Sequence, residues 1–554
     1  MSAADPTRPS AGALSPFPAA GPPRYQLLRG VQAGLIRRFD ATLEDPRAAQ
    51  EARWQAIRAS AVDTEFGRAH GLARARTLED LRAAVPVRTH DGLRPYLDRV
   101  ADGARGVLTT APVTQLLETS GTTGAPKLLP VTRAWAAGVA EAQALWVLGL
   151  LGEHPDVALG PALTVVSPAA HRTSTGGLPV GSNTGRMHLA QPWWVRSRYP
   201  VPYEVFCIGD EALRQYVILR FALGAGLRSL TTANPSTILL LARRLREWQA
   251  PLTADLRAGT LREGPAAALA ASDRRRWEPQ LRAQAPPEDW SVAALWRLAV
   301  LNCWTGGPAA YFAARLPAAL GAPIPVREVG VTASEGYFAI PVGRRHAGCA
   351  LWLQGHVLEF IGDDGAPRWA WELEPGEQVR LVCTTEAGLF RYDLQDTLEV
   401  TGRIGRLPLV RFVGKTGRWL NATGEKVSEA QVSAALAAAV GEGAAPTGFC
   451  ARTHWDEVPA VVLAVEGPAP PGLAPRFDAA LAALNPEYAG KRASGRLGEA
   501  RVEVLPGGTF ARFRSARVAA GAPDGQVKDP VIARDAAEWA RVRAAAGLPP
   551  EASA

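Results

Sequence analysis

Apolar and polar positions alternate in ways that divide the chain into helical, strand-like and turn-rich stretches. From Tyr25 to about Glu65, Leu27, Leu28, Val31, Leu35 and Ile36 recur at helical spacing. Trp54, Ile57 and Ala61 do the same, so the pattern predicts a helical pair. Residues 78–84 and 93–101 read as shorter helices. Residues 113–117 are apolar and β-branched and read as a strand, and a helix follows from Thr132, a suitable N-cap, to about Leu151. The runs 162–167, 227–232, 298–305 and 325–330 read as short strands, the first of the apolar kind that is buried on both faces of a parallel sheet and the third as another parallel strand. Helices over 211–225 and 235–248 surround the second of these runs. Beyond residue 417 the pattern changes to a small α+β unit. It has helices at 431–440 and 476–484 and strands at 460–465 and 501–505.

Four expected strand ends carry residues suited to chemistry. Between the 113–117 strand and the helix at Thr132 lies Thr119-Ser-Gly-Thr-Thr-Gly-Ala-Pro-Lys127. Its glycines let the backbone close on a ligand, its hydroxyls donate to oxyanions, and Lys127 adds a point charge. A nucleotide phosphate tail suits that set, although the spacing is not that of a P-loop. Gly306-Gly307 follows the 298–305 strand. It fits either close packing on an adenine plane or a tight strand-to-helix turn. Val331-Thr-Ala-Ser-Glu-Gly336 sets a carboxylate among small residues at a strand end. That is a place for magnesium with phosphate oxygens or an ordinary loop glutamate. Asp396 closes Phe390-Arg-Tyr-Asp-Leu-Gln-Asp, where it can accept ribose hydroxyls or end a turn. The loop at 176–182, with Trp193 and Trp194 behind it, is a further candidate wall for an acyl pocket.

Composition narrows the classes. At 554 residues the chain is long enough for two or more domains. The net charge of +8 is spread without a basic run, which argues against nucleic acid as partner. No stretch reads as a bilayer span, and the first 24 residues, rich in Ala, Pro and Gly, predict a disordered tail. Five scattered cysteines without metal or redox spacing point to buried thiols in a cytoplasmic protein. Nearly all basic residues are arginine. The only lysines are Lys127, Lys415, Lys426, Lys491 and Lys528, so a lysine here invites a role that needs a compact ammonium.

The order of these motifs resembles a known family. Ser120-Gly-Thr-Thr-Gly-x-Pro-Lys is similar to the phosphate loop of adenylate-forming enzymes. Ala333-Ser-Glu-Gly, Tyr392-x-x-x-Asp396, Gly424-Glu-Lys and Gln526-x-Lys528-x-Pro follow it in order. Together with Leu178-Pro-Val-Gly-Ser, Ala233-Asn-Pro-Ser-Thr, Asn485-Pro-Glu-Tyr and Pro506-Gly-Gly-Thr-Phe, they resemble the Gretchen Hagen family in its bacterial form. These are the acyl acid amido synthetases named after auxin-responsive plant proteins. The likeness runs from about Tyr25 to Ala533.

The resemblance implies an α/β fold. Residues 25–416 would form a large ATP- and acyl-binding domain with parallel and mixed sheets, and residues 417–554 a small mobile α+β lid. It implies ATP and Mg2+ as cofactors, and a small carboxylic acid and an amine, such as an amino acid, as substrates. No nucleic acid or membrane partner is implied. By resemblance Ser120, Gly121, Thr122, Thr123, Gly124 and Lys127 hold the phosphates. Gly306, Gly307, Thr332, Ala333 and Ser334 lie along the nucleotide, Glu335 helps place magnesium, and Asp396 takes the ribose with Lys415 beside it. Lys528 is the lid lysine that reaches the reacting atoms, with Thr123 and Glu335 the other catalytic groups. The chain departs from the pattern at Val331, where an aromatic residue is common, at Gln395, where glycine is usual, and at Gly417, where many relatives have aspartate. The implied reaction is adenylation of an acid followed by amide formation. Thioester formation on coenzyme A, or nucleotide binding without turnover, are the other readings.

Overall fold

The computed structural model describes residues 15–119, 127–307, 309–343, 346–415 and, with short interruptions, 419–549. Three helices open it, Pro23–Val31, Ala33–Glu44 and Pro46–Ala59, where periodicity alone predicts two. The second break falls at Asp45-Pro46. The Asp45 carboxylate accepts from the Ala48 N–H at 3.0 Å, and Pro46 takes the first helical position, where no N–H is needed. Order begins before residue 25, against expectation: Phe17 is buried, with its ring 5.8 Å from that of Phe39.

Val113–Thr119 pairs antiparallel with Lys127–Thr132, so the phosphate-loop motif joins two strands of a hairpin rather than a strand and a helix. The expected helix then starts at Arg133, with Thr132 as its N-cap. This helix, Arg133–Glu153, corrects a second expectation. It is 21 residues long and its most apolar 18-residue stretch has a mean hydropathy of 1.4, enough by length and composition to cross a bilayer. Here it is a core helix, with Trp135, Val139, Ala142, Leu145, Trp146, Leu148 and Leu150 buried, and it packs on the Gly336–Pro341 strand.

The predicted parallel sheet is present. Ala162–Thr164, Ser229–Thr231, Val300–Cys303 and Val326–Glu328 lie side by side in sequence order, all parallel. Their apolar faces join the helices of 211–256 in one core. A second sheet is larger and wholly antiparallel. Its eight strands run in the order Pro367–Trp369, Val357–Ile361, Gln378–Thr384, Tyr392–Ile404, Leu407–Lys415, Cys349–Leu351, Gly336–Pro341, Val331–Ala333. Residues 410–415, just ahead of the change of pattern at 417, belong to the fifth of these strands.

From Leu420 onward a separate core forms around Val432, Leu436, Phe449, Leu463, Phe477 and Leu481. Its sheet orders Gly448–His454, Ala460–Glu466 and Arg501–Leu505, the last pair parallel. Helices Thr509–Ala519 and Ala536–Ala545, which the pattern did not announce, close a smaller cluster around Phe510, Phe513 and Trp539. Four of the five cysteines are buried. Cys207 is exposed, contrary to expectation.

Candidate functional site

The parallel sheet, the edge of the antiparallel sheet and the C-terminal unit enclose one cavity of about 1760 Å³. Lys127, Gly306, Thr332, Ala333, Ser334, Glu335, Asp396 and Lys528 all line it. Residues more than 400 positions apart in sequence thus meet at the carboxyl edge of the parallel strands, where open α/β sheets bind ligands. Gly307 sits next to this wall without lining it. Ser120, Gly121, Thr122, Thr123, Gly124, Gly417 and Lys426 lie outside the described residues.

Each wall has a local cause. Val331–Ala333 and Gly336–Pro341 form a hairpin in which Ala333 pairs with Gly336, leaving Ser334 and Glu335 at its tip. The Glu335 carboxylate is half-buried and held from behind, because Trp135 Nε1 donates to its backbone carbonyl at 2.9 Å. It also faces the Tyr392 phenol, which burial first and this carboxylate next push well above the ordinary range.

Asp396 is not at a strand end. It lies within the long Tyr392–Ile404 strand, paired in register with Lys415, and is buried. The strand bulges against Gln378–Thr384 between Asp393 and Thr397, and Gln395 adopts φ +58° there. Glycine takes that conformation without strain and glutamine does not, which accounts for glycine as the usual residue at this position. Just upstream, Arg391 at φ +44° is fixed by a fork onto the buried Glu359, with donor–acceptor distances of 2.8 and 2.9 Å.

Gly306 and Gly307 pack on the neighbouring strand. A Cβ on Gly306 would lie 2.7 Å from the Phe412 carbonyl oxygen, and one on Gly307 would lie 2.9 Å from the Phe412 ring. The bare backbone is therefore required by Phe412 as well as by whatever enters the cavity. Lys528 reaches across from the C-terminal unit, with its Nζ 4.4 Å from the centre of the Trp304 ring. Next to it, burial pushes the Asp529 carboxyl up to about 6, while Arg514, 2.5 Å away, pulls the other way.

Sequence reasoning missed three wall residues. Glu328 closes the last parallel strand. Its Oε2 accepts from the Thr305 N–H and hydroxyl at 2.7 and 2.6 Å, and its Oε1 from the Val329 and Gly330 N–H groups at 2.9 and 3.0 Å. Burial raises its pKa. Its place at the carboxyl end of a parallel strand was the available signal. Trp304 and His188 carried none, since tryptophan and histidine are ordinary core residues. Trp193 and Trp194, in contrast, stay exposed and outside the cavity. Among the described residues no group of three or more His, Cys, Asp or Glu side chains could hold a metal alone. A lone carboxylate on the cavity wall, as Glu335 is, fits magnesium, which keeps waters and substrate oxygens as its other ligands.

Comparison with known proteins follows the same lines. Family models match residues 35–325 (GH3 family N-terminal domain), 350–415 (GH3 family central domain) and 430–537 (GH3 family C-terminal domain). The chain is similar to a probable indole-3-acetic acid-amido synthetase GH3.12 of Oryza sativa subsp. japonica. They are 26% identical over 457 residues, 72% of this chain and 74% of that one. It is also similar to jasmonoyl–L-amino acid synthetase GH3.3 of the same plant, at 29% over 392 residues, 64% of this chain and 84% of that one. Among solved structures, GH3.15 acyl acid amido synthetase superposes with a TM-score of 0.79 at 19% identity, covering 91% of this chain and 94% of that chain. A 2-hydroxyisobutyryl-CoA ligase in the postadenylation state shares the fold more loosely, with a TM-score of 0.53 at 16% identity over 88% of this chain and 89% of that one. With its N-terminal, central and C-terminal models matched in order, the chain belongs to the GH3 family of acyl acid amido synthetases.

Proposed function

We propose that this protein uses ATP to adenylate a small carboxylic acid and then passes the acyl group to an amine, an amino acid by analogy with its relatives, to form an amide. The observation that carries the reading is the meeting of Lys528, Glu335, Asp396 and the 332–334 segment in one cavity. A carboxylate attacks phosphorus poorly because both partners are negative. A mobile ammonium and fixed hydroxyl donors offset that repulsion most where charge builds up in the transition state.

In this scheme Ser120, Thr122 and Thr123, with Lys127 at the start of the next strand, hold the phosphates, and Asp396 accepts from the ribose hydroxyls. Thr332 and Ala333 border the adenine and the α-phosphate. Glu335 would hold Mg2+, which supplies Lewis-acid neutralisation of the phosphate oxygens when bound. Lys528 lies at the junction where the substrate carboxylate oxygen bonds the α-phosphorus as pyrophosphate departs. The amine nitrogen then attacks the acyl carbon, AMP leaves, and the amine loses a proton. Residues 417–554 act as a lid that presents Lys528 for the first half-reaction and withdraws for the second. The free thiols support a reducing, cytoplasmic setting.

The test is pyrophosphate release from ATP and magnesium against a pool of aryl, arylalkyl and fatty acids, with and without pooled amino acids, the products read by mass spectrometry. Acid-dependent release with an amide product is expected. Release that yields a product only on adding coenzyme A would replace amide formation with thioester formation. No release with any acid would leave a nucleotide-binding protein.

A further inference from the structure

One end of the cavity lies away from the nucleotide-facing residues, in the core that flanks the parallel sheet. Its wall is one face of the helix Asn183–Ala190, from which Asn183, Thr184, Met187 and His188 line the space. Ser182 fixes where this helix starts, since its hydroxyl oxygen accepts from the Gly185 N–H at 3.1 Å.

His188 is 7% exposed and set in aromatic surroundings. Its ring stacks on Tyr199 at 4.8 Å, lies 5.6 Å from Tyr203 and meets Phe206 edge-on at 5.9 Å. Burial first, and the Arg196 cation second, push its pKa down to about 4, so the imidazole is neutral. Its Nδ1 is buried without a hydrogen-bond partner among the described residues. A neutral imidazole offers one donor and one acceptor, and buried polar atoms are normally satisfied. Tyr199, Phe206, Met187 and Ile218 complete an apolar slot around it.

Two residues earlier, Arg186 donates from Nε and Nη2 to Asn183 Oδ1 at 3.0 and 2.8 Å. Arginine only donates, so these bonds fix which way the Asn183 amide points. The same helix therefore carries an oriented amide and a buried imidazole on the face it turns to the cavity.

We propose that His188 is a specificity-determining residue of the acyl subsite, and that the acid taken is an aromatic carboxylic acid whose ring bears a hydroxyl or similar hydrogen-bonding group remote from the carboxylate. The aromatic slot holds the ring, and the imidazole pairs with the ring substituent. An acid without that group leaves the imidazole unpaired in the complex. That is how a polar site rejects an analogue more strongly than an apolar pocket can. The inference rests on the adenylating reading given above.

The experiment compares kcat/KM for pyrophosphate release with matched acids: para-hydroxyphenylpropanoate against phenylpropanoate, and the hydroxylated and plain forms of phenylacetate and benzoate. For the native enzyme at least one pair should differ by tenfold or more in favour of the hydroxylated acid. His188→Phe, which keeps the aromatic contacts, should bring that ratio close to one, and His188→Gln should restore part of it. Thermal melts identify any variant that fails to fold. If His188→Phe is such a variant, the ratio measured for His188→Leu decides in its place. Release by the native enzyme with no preference in any pair, or a preference that survives loss of the imidazole, overturns this assignment and leaves the adenylating function standing. No release with any acid, including those of the broader pool, overturns both.

Discussion

The contact between Lys528 and Trp304 makes the alternating-lid scheme quantitative. Lys528 belongs to the C-terminal unit and Trp304 follows a strand of the parallel sheet, so on the proposed scheme their 4.4 Å approach exists only while the lid is against the cavity. Lys528 is exposed, and cation–π contacts at such sites contribute about 0.5–1 kcal/mol. Replacing the ring by Trp304→Leu should therefore slow adenylation by about two- to fivefold, at about 1.4 kcal/mol per factor of ten. Lys528→Ala removes the charge itself. Loss of a donor aimed at transition-state charge costs about a hundred- to a thousandfold. Adenylation is read by acid-dependent pyrophosphate exchange, and transfer by mixing preformed acyl-adenylate with the amine. Both variants should leave transfer within about twofold of native, because that step does not use the closed lid. Equal losses in the two half-reactions would refute the reasoning. So would a Trp304→Leu defect as large as that of Lys528→Ala, which would make Trp304 a substrate contact.

Three further outcomes follow from the same geometry. Glu335→Gln, or chelation of magnesium, should lower pyrophosphate release by at least about tenfold, with the fold judged by circular dichroism; a fully active variant would remove Glu335 from the site. Gly306→Ala brings a Cβ to 2.7 Å from the Phe412 carbonyl, so it should lower both thermal stability and ATP affinity, and a change in neither would show that the strand yields without cost. Asp529, with its pKa raised to about 6, holds its proton more tightly folded than unfolded. Stability should therefore fall as pH rises from about 4 to 6, by up to roughly 3 kcal/mol, and stay level above that. Asp529→Asn should abolish this slope, so its melting temperature relative to the native protein should climb through that window. A difference independent of pH would contradict the assignment.

Much of the parallel half of the molecule was legible in sequence because short apolar runs between helices have few other uses. The run 298–305, which contains the strand Val300–Cys303, and the cap at Thr132 are examples. The antiparallel half was far less legible. Asp396 read as a strand-end residue because the bulge at Gln395 interrupts the alternation on which strand recognition depends. Residues 410–415 carry little strand signal because Gly414 and Lys415 are poor strand formers, yet pairing with Tyr392–Ile404 holds them extended. The loop at Ser120 was placed before a helix because Pro130 lies within the intervening strand and hides it. At the candidate site, local motifs pointed to the charged and small residues. Trp304, Glu328 and His188 acquire meaning only from side chains distant in sequence.

The seam between the two units holds one more lesson. Phe312, on a short helix after the two glycines, stacks at 6.5 Å on Phe449 of the C-terminal unit and packs against that unit's core. One aromatic pair adds only about 0.5–1.5 kcal/mol beyond its buried area. A contact of that size does little by itself to fix the balance between the two lid positions proposed above, which is then set by whichever ligand binds one position more tightly. On the proposed scheme that leaves timing to the substrates: bound acid and nucleotide would favour closure, and release of pyrophosphate would remove the bias.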